Sequence, residues 1–130
     1  IARIFNMYGG DDNFSIMSKI IKAYKNNEEL SIVNNGNAIR DFIHIEDVVD
    51  IYSKILDKKD IKILNIGSGN GSSIKNILDF LNNHNIKIKT KNIQREELKI
   101  STADISKLKE LLKKDTFFGV EEKLKKELNI

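Results

Sequence analysis

The 130-residue chain contains no cysteine, which excludes disulfide bonds, thiolate metal ligands and a cysteine nucleophile. No apolar run approaches the ~18–20 residues that a membrane-spanning helix needs. The first residues form neither a basic segment nor a long apolar segment, so we expect no signal peptide. These absences favour a cytoplasmic protein with no membrane partner.

Proline is also absent, so the turns must be made by glycine, asparagine and aspartate. The 22 lysine and arginine residues are scattered among 19 acidic ones, for a net charge of +3. A nucleic-acid-binding protein usually gathers its basic residues into a stripe interleaved with aromatic ones. We therefore expect no nucleic-acid partner. His44 and His84 lack converging ligands, so we also expect no metal site.

Hydrophobic periodicity predicts a mixture of short strands and helices in a single domain spanning residues 1–130. Strands are predicted at residues 2–6, 30–33, 41–45, 61–66 and 86–90. One helix is predicted to begin after Ser15, and another to run from Ser72 or Ser73 to about residue 81. Further helices are predicted at residues 46–56, 105–112 and 120–128. The predicted fold class is therefore α/β, with a small sheet and flanking helices.

Arg40 is the side chain whose neighbours bear most directly on ligand chemistry. Because Ile39 and Phe42 flank it, its guanidinium is drawn towards an apolar surface. A guanidinium in that setting needs a bidentate anionic partner, and a phosphate fits that geometry. A salt bridge to a local acid such as Asp41 would also satisfy the charge. The spacing alone leaves both interpretations open.

Five segments resemble, in the same order, motifs of the extended short-chain dehydrogenase/reductase family, which acts on nucleotide sugars with NAD. Residues 36–47, G-N-A-I-R-D-F-I-H-I-E-D, resemble the family's G-x-x-x-R-D-F/Y-I-H-V-x-D. Residues 3–9, R-I-F-N-M-Y-G, resemble R-x-F-N-x-Y-G, and residues 30–33, L-S-I-V, resemble L-x-I-x-G. Residues 64–69, L-N-I-G-S-G, and residues 103–107, A-D-I-S-K, resemble Y-N-I-G-S-G and A-D-I-S-K-A. The resemblance implies the C-terminal, substrate-binding portion of a Rossmann-type enzyme.

The same resemblance implies roles for individual residues. Arg40 would grip the diphosphate of a nucleoside-diphosphate sugar, and the amide of Asn6 would bond the substrate. Phe5 would lie beside the nicotinamide of NAD. The backbone of one short strand would lie against the nucleobase, namely that of Ser31, Ile32 and Val33.

Three places depart from the family pattern. The first turn reads Y-G-G at residues 8–10, where the family usually has Y-G-P. The family often has R-x-G-D before its A-D-I-S-K segment, and the arginine of that motif lies near the ribose and phosphates of the substrate. The resemblance therefore assigns this contact to Arg95. Here the run is one residue short and lacks the glycine. Asn34 also stands where a glycine often closes the nucleobase strand. A solvated position for Arg95 is the alternative.

Two family motifs are missing altogether. The chain has no G-x-x-G-x-x-G turn, whose backbone would approach the cofactor pyrophosphate at a helix N-terminus. It has no Tyr-x-x-x-Lys acid/base pair: Leu56 stands where the lysine would follow Tyr52. We therefore expect an N-terminal NAD-binding domain of about 150 residues to precede this chain as its partner. The chain alone should be inactive, and the apolar surface left without that partner favours self-association.

Two other interpretations stay open on the sequence. The chain could be a non-catalytic remnant of a split gene or a proteolytic fragment. Alternatively, residues 63–71, I-L-N-I-G-S-G-N-G, resemble the first motif of an S-adenosylmethionine methyltransferase, a strand running into G-x-G-x-G. That fold needs an acid at the end of the next strand, where this chain has Lys89, Thr90 and Lys91.

Overall fold

The computed structural model describes residues 1–114 and 116–130, which form eight short strands, five helices and one 3₁₀ turn. The strands are β1 (Ala2–Ile4), β2 (Asn6–Tyr8), β3 (Leu30–Val33), β4 (Ile39–His44), β5 (Leu64–Ile66), β6 (Gly71–Ser73), β7 (Thr90–Ile93) and β8 (Ile100–Ser101). The helices are α1 (Ile16–Asn26), α2 (Ile45–Ile55), α3 (Ile74–Asn83), α4 (Ser106–Leu112) and α5 (Val120–Leu128). The 3₁₀ turn spans Asn34–Gly36.

Strand β4 is the centre of the largest sheet. It pairs in parallel with β2 and β8 and antiparallel with β6. Arg40 is opposite Ser72 of β6 on one side and Ser101 of β8 on the other. Two further parallel pairs, β1 with β5 and β3 with β7, complete the strand pairing that the structure describes. The strand that carries Arg40 is therefore held along both edges.

Two hydrophobic clusters lie on opposite faces of β4. Successive side chains of a strand point to opposite faces, so Phe42 enters the first cluster and Ile43 the second. The first cluster also contains buried residues of α1 and α3, including Ile20 and Ile77. The second joins α2, β5 and α4. Burial on both faces fixes the register of β4, because a slip by one residue would exchange the two sets.

Two helices begin where their capping residues predict. Ser15 accepts the backbone N–H of Ser18 at 3.1 Å to cap α1, and Ser73 accepts that of Asn76 at 3.0 Å to cap α3. The predictions of helices following Ser15 and Ser73 are confirmed. None of the described helices is both long and apolar enough to cross a bilayer.

Several strand predictions were wrong in their bounds. The strand predicted at residues 2–6 is divided into β1 and β2, and the strand predicted at residues 61–66 begins at Leu64. Strand β6 was not predicted, because its pairing with β4 is a tertiary contact. The strand predicted at residues 86–90 lies instead at Thr90–Ile93, because the backbone N–H of Ile86 still closes the end of α3 on Leu81. Strand β8 was not predicted, since two residues are too few to show a period.

Candidate ligand-binding cleft

A cleft of about 360 Å³ lies where β2, β3 and β4 approach the loop before β8. Its walls include every residue that the sequence predicted for substrate contact, namely Asn6, Ser31, Ile32, Val33, Arg40 and Arg95. These residues are up to 89 positions apart in the sequence, so the fold assembles them. The cleft has a mixed lining, with apolar side chains such as Ile74 and Phe42 beside the charged groups.

Arg40 is partly buried in this cleft and already has two partners. Its Nη1 donates to the backbone oxygen of Ile39 at 2.9 Å, and its Nη2 donates to Glu97 Oε2 at 3.2 Å. The side chains of Arg40 and Glu97 are 22% and 20% exposed. The local acid Asp41, one of the two partners that the sequence left open, forms no ion pair with Arg40. A guanidinium has five N–H donors in a planar fork, so Arg40 retains the capacity to bind a second anion.

Asp41 instead connects β4, the strand that carries Arg40, to two loops. Its buried carboxylate accepts the backbone N–H and the hydroxyl of Ser68 on Oδ1, at 2.8 and 2.6 Å. Oδ2 accepts the backbone N–H groups of Gly69 and Ala103, at 2.9 and 3.1 Å. Four hydrogen bonds thus tie the residue beside Arg40 to two loops that are far apart in sequence. The sequence analysis missed this role.

The glycine-rich loop at residues 67–71 is built around that carboxylate. A Cβ added at Gly67 would lie 2.5 Å from Ala103 Cβ and 2.7 Å from Asp41 Oδ2. The absence of a side chain therefore allows the close approach. Because the N–H groups of Ser68 and Gly69 serve Asp41, the loop does not offer them to a dinucleotide or to S-adenosylmethionine. This geometry removes the basis of the methyltransferase interpretation.

Asn6 and Phe5 lie at the junction between the cleft and a second hollow. Asn6 Nδ2 donates to the backbone oxygen of Asp41 at 3.0 Å, which fixes the amide at the cleft wall. Phe5 lines the adjoining hollow of about 410 Å³, together with Phe14 and Phe42. Phe5 is thus beside the cleft and not in it. The apolar lining of this hollow fits one wall of a site for a flat ring such as nicotinamide.

Asn34 connects the end of β3 to the loop that carries Arg95. The φ angle of Asn34 is 47°, in the left-handed region of backbone space. Glycine adopts this region readily, and asparagine tolerates it better than most other residues. Both residue types therefore suit this position. Asn34 Oδ1 accepts the backbone N–H of Arg95 at 3.1 Å, and Asn34 Nδ2 donates to the backbone oxygen of Arg95. The Arg95 backbone is therefore anchored while its side chain is exposed at the cleft.

The sequence analysis also missed Glu97 and Lys19, which line the same cleft. Glu97 lies two residues after Arg95, in the stretch that departs from the family pattern. That departure was the one feature of the sequence that could have pointed to a special role for Glu97. Lys19 lies one turn after Ile16 on α1, which also lines the cleft. Arg40, Arg95 and Lys19 bring three positive charges to the walls, against the one negative charge of Glu97.

Behind the cleft, His44 caps α2 from a buried position. Its Nδ1 accepts the backbone N–H of Glu46 at 3.2 Å, and its ring packs edge-on against Tyr8. Burial lowers the pKa of His44, and Lys123 lowers it further; the carboxylates of Glu46, Asp47 and Glu127 oppose the shift. Burial likewise raises the pKa of Tyr8 above its ordinary value. His44 is therefore a neutral structural residue at pH 7.

Comparisons with known proteins identify similar sequences over most of this chain. A model of the NAD dependent epimerase/dehydratase family matches residues 1–67. A UDP-glucuronate 4-epimerase from Thermodesulfobacterium geofontis is 31% identical across 99% of this chain, which spans 42% of that relative. A dTDP-6-deoxy-L-talose 4-dehydrogenase (NAD(+)) from Aggregatibacter actinomycetemcomitans is 37% identical across 63% of this chain and 32% of its own length. The chain thus spans less than half the length of these curated relatives.

A solved structure gives the same result for the fold. UDP-glucuronic acid 4-epimerase from Bacillus cereus, in complex with UDP-glucuronic acid and NAD, superposes with a TM-score of 0.85 at 25% identity. The match covers 98% of this chain and 43% of that one. The predicted fold class, a portion of a Rossmann-type extended short-chain dehydrogenase/reductase, is confirmed.

Proposed function

The chain belongs to the NAD dependent epimerase/dehydratase family, and from this we propose that it forms the substrate-binding part of an enzyme acting on a nucleoside-diphosphate sugar. The observation that carries the proposal is the single cleft lined by Asn6, residues 31–33, Arg40 and Arg95. Clustered arginines at an apolar-walled cleft suit a ligand that combines a diphosphate with flat or hydroxylated groups. The parent enzyme would be an epimerase or a dehydratase.

Arg40 is the principal diphosphate ligand in this proposal. Its guanidinium is partly buried, and desolvation strengthens a charge-assisted hydrogen bond. Arg95 adds a second, more exposed positive charge to the same cleft, where it would contact the ligand near the ribose and phosphates. The backbone of β3, from Ser31 to Val33, would line the nucleobase, and Asn6 would hold the sugar end.

The proposed cofactor is NAD, which supplies a hydride acceptor for transient oxidation of a sugar carbon. Phe5 and its apolar neighbours offer one wall for the nicotinamide, next to Asn6. In the glycine-rich loop at residues 67–71, the N–H groups of Ser68 and Gly69 donate to Asp41, and that of Asn70 donates to the Ser68 hydroxyl. We therefore assign the pyrophosphate contacts of NAD, and the acid/base pair, to another part of the parent protein.

One edge of this chain is suited to receive that part. Within the described residues, β1 is paired on one side only, by β5. Ile1 and Ile4, at the two ends of this strand, are exposed. A free strand edge with exposed apolar side chains favours pairing with a further strand. The proposed partner is the N-terminal NAD-binding domain; the isolated chain would be prone to self-association through the same edge.

Calorimetric titration of the full-length protein tests the proposal, using UDP-glucose, dTDP-glucose and GDP-mannose in turn. For the nucleotide sugar that binds best, Arg40→Ala should raise the dissociation constant at least tenfold, because a hydrogen bond to a charged group contributes about 1.5–3 kcal/mol. The affinity for NAD should stay within about twofold of the wild-type value. Lys109→Ala, which removes an exposed charge on α4, is the matched control. Unchanged nucleotide-sugar affinity in Arg40→Ala would refute the assignment.

A further inference from the structure

Glu97 places a carboxylate in a cleft that otherwise carries positive charge. Its Oε2 is 3.2 Å from Arg40 Nη2, and both side chains are largely buried. The stretch around it, R-E-E-L, is where this chain departs from the pattern of its family. The contact therefore does not follow from the motif that suggested the role of Arg40.

The position of Glu97 is fixed from its other oxygen as well. Oε1 accepts a hydrogen bond from Asn34 Nδ2 at 3.1 Å. Asn34 in turn is bonded to the backbone of Arg95 through both ends of its amide. Both carboxylate oxygens thus have partners, and the group is held in the cleft.

An incoming phosphate requires the same guanidinium. A bidentate contact uses two parallel N–H groups of an arginine, and Arg40 already uses one on Ile39 and one on Glu97. A phosphate that takes the best fork geometry must displace Glu97 or accept repulsion from it at short range. Glu97 therefore occupies a donor of Arg40 that a phosphate in this fork geometry would use.

We propose that Glu97 is an internal competitor for Arg40, which a diphosphate displaces when it binds. This inference rests on the proposed function and adds a specificity-determining residue to it. A free carboxylate gains nothing by replacing a carboxylate that is already tethered in place. A phosphate group brings more charge and more acceptor oxygens, so it can take the guanidinium. The cleft thereby rejects weak anions at the cost of some affinity for its proper ligand.

The test uses the full-length protein saturated with NAD, so that any phosphate site of the cofactor is filled. Inorganic pyrophosphate is titrated into the wild type, Glu97→Gln and Glu96→Gln by calorimetry. Glu97→Gln should lower the dissociation constant about tenfold, the size expected for removing one charge a few ångströms from the ligand. Glu96→Gln removes the same charge from an exposed neighbour and should change the constant less than twofold at physiological salt.

Equal or weaker binding in Glu97→Gln would overturn the inference, because it would mean that Glu97 orients Arg40 or takes no part. That result would leave the proposed function intact, provided that Arg40→Ala still weakens pyrophosphate binding. Failure of the wild type to bind pyrophosphate, with no gain in Glu97→Gln, would refute both.

Discussion

Substitution of Asp41 by asparagine tests the way in which this fold positions its cleft. The change keeps the shape of the side chain but replaces one carboxylate oxygen by an NH₂ group. With Oδ1 retained towards Ser68, the NH₂ group must face the backbone N–H groups of Gly69 and Ala103, which now donate to Oδ2 at 2.9 and 3.1 Å. The reverse orientation would instead place the NH₂ group against Ser68 N–H.

The cost follows from the bonds lost. Each hydrogen bond to a charged group contributes about 1.5–3 kcal/mol, and two are lost while the buried N–H of Ala103 and the partly buried N–H of Gly69 lose their acceptor. Removal of a buried charge offsets a part of this. We therefore expect Asp41→Asn to lower the free energy of unfolding by about 3–5 kcal/mol, a large share of the ~5–15 kcal/mol that a typical domain has.

Urea denaturation of the full-length protein, followed by circular dichroism, measures the effect. Asp79→Asn, an exposed aspartate on α3, makes the same chemical change and should alter the free energy of unfolding by less than about 0.5 kcal/mol. A loss below about 1 kcal/mol for Asp41→Asn would refute the reasoning. It would mean that the loops at residues 67–69 and 103 do not depend on this carboxylate.

Two further changes probe the packing around the cleft. Gly67→Ala places a Cβ 2.5 Å from that of Ala103 and should lower the free energy of unfolding by about 1–3 kcal/mol; Gly119→Ser, where an added Cβ meets nothing within 4 Å, should be nearly neutral in the same urea titration. His44 stays neutral in the folded state because burial and Lys123 lower its pKa, so the stability this provides is present above about pH 6.5 and is lost as pH falls towards the lowered pKa. His44→Asn retains a capping side chain without the titration, so its free energy of unfolding should fall less than that of the wild type between pH 7.5 and 5.5; equal losses would contradict the assignment.

The sequence predicted the parts of the structure that depend on local pattern. Ser15 and Ser73 cap helices because capping needs only the three following residues, and β3 shows its burial by alternation. The residues that the motifs proposed for substrate contact are brought together by the fold at one cleft, although their contact with a substrate stays a prediction. Arg40 and Asn6 lie at one cleft because β2 and β4 pair in parallel, with Asn6 opposite Phe42.

What the sequence could not predict depends on partners far along the chain. Asp41 read as a neighbour of Arg40, yet its four donors come from residues 68, 69 and 103. The sequence analysis assigned no role to Glu97, yet this residue reaches Arg40 across 57 positions. Strands β6 and β8 are defined by their backbone pairing with the two edges of β4. In each case the role depends on a tertiary contact, which the local hydrophobic periodicity of the sequence does not reveal.

The most direct test of the proposed role of this cleft is a crystal structure of the full-length protein with NAD and the nucleoside diphosphate that it binds most tightly. We expect the diphosphate to lie in the 360 Å³ cleft, with phosphate oxygens within hydrogen-bond distance of the Arg40 guanidinium and Glu97 displaced from it. A diphosphate bound elsewhere, with the contact between Arg40 and Glu97 intact, would contradict the proposed function. A diphosphate on Arg40 with Glu97 still in place would contradict only the inference about Glu97.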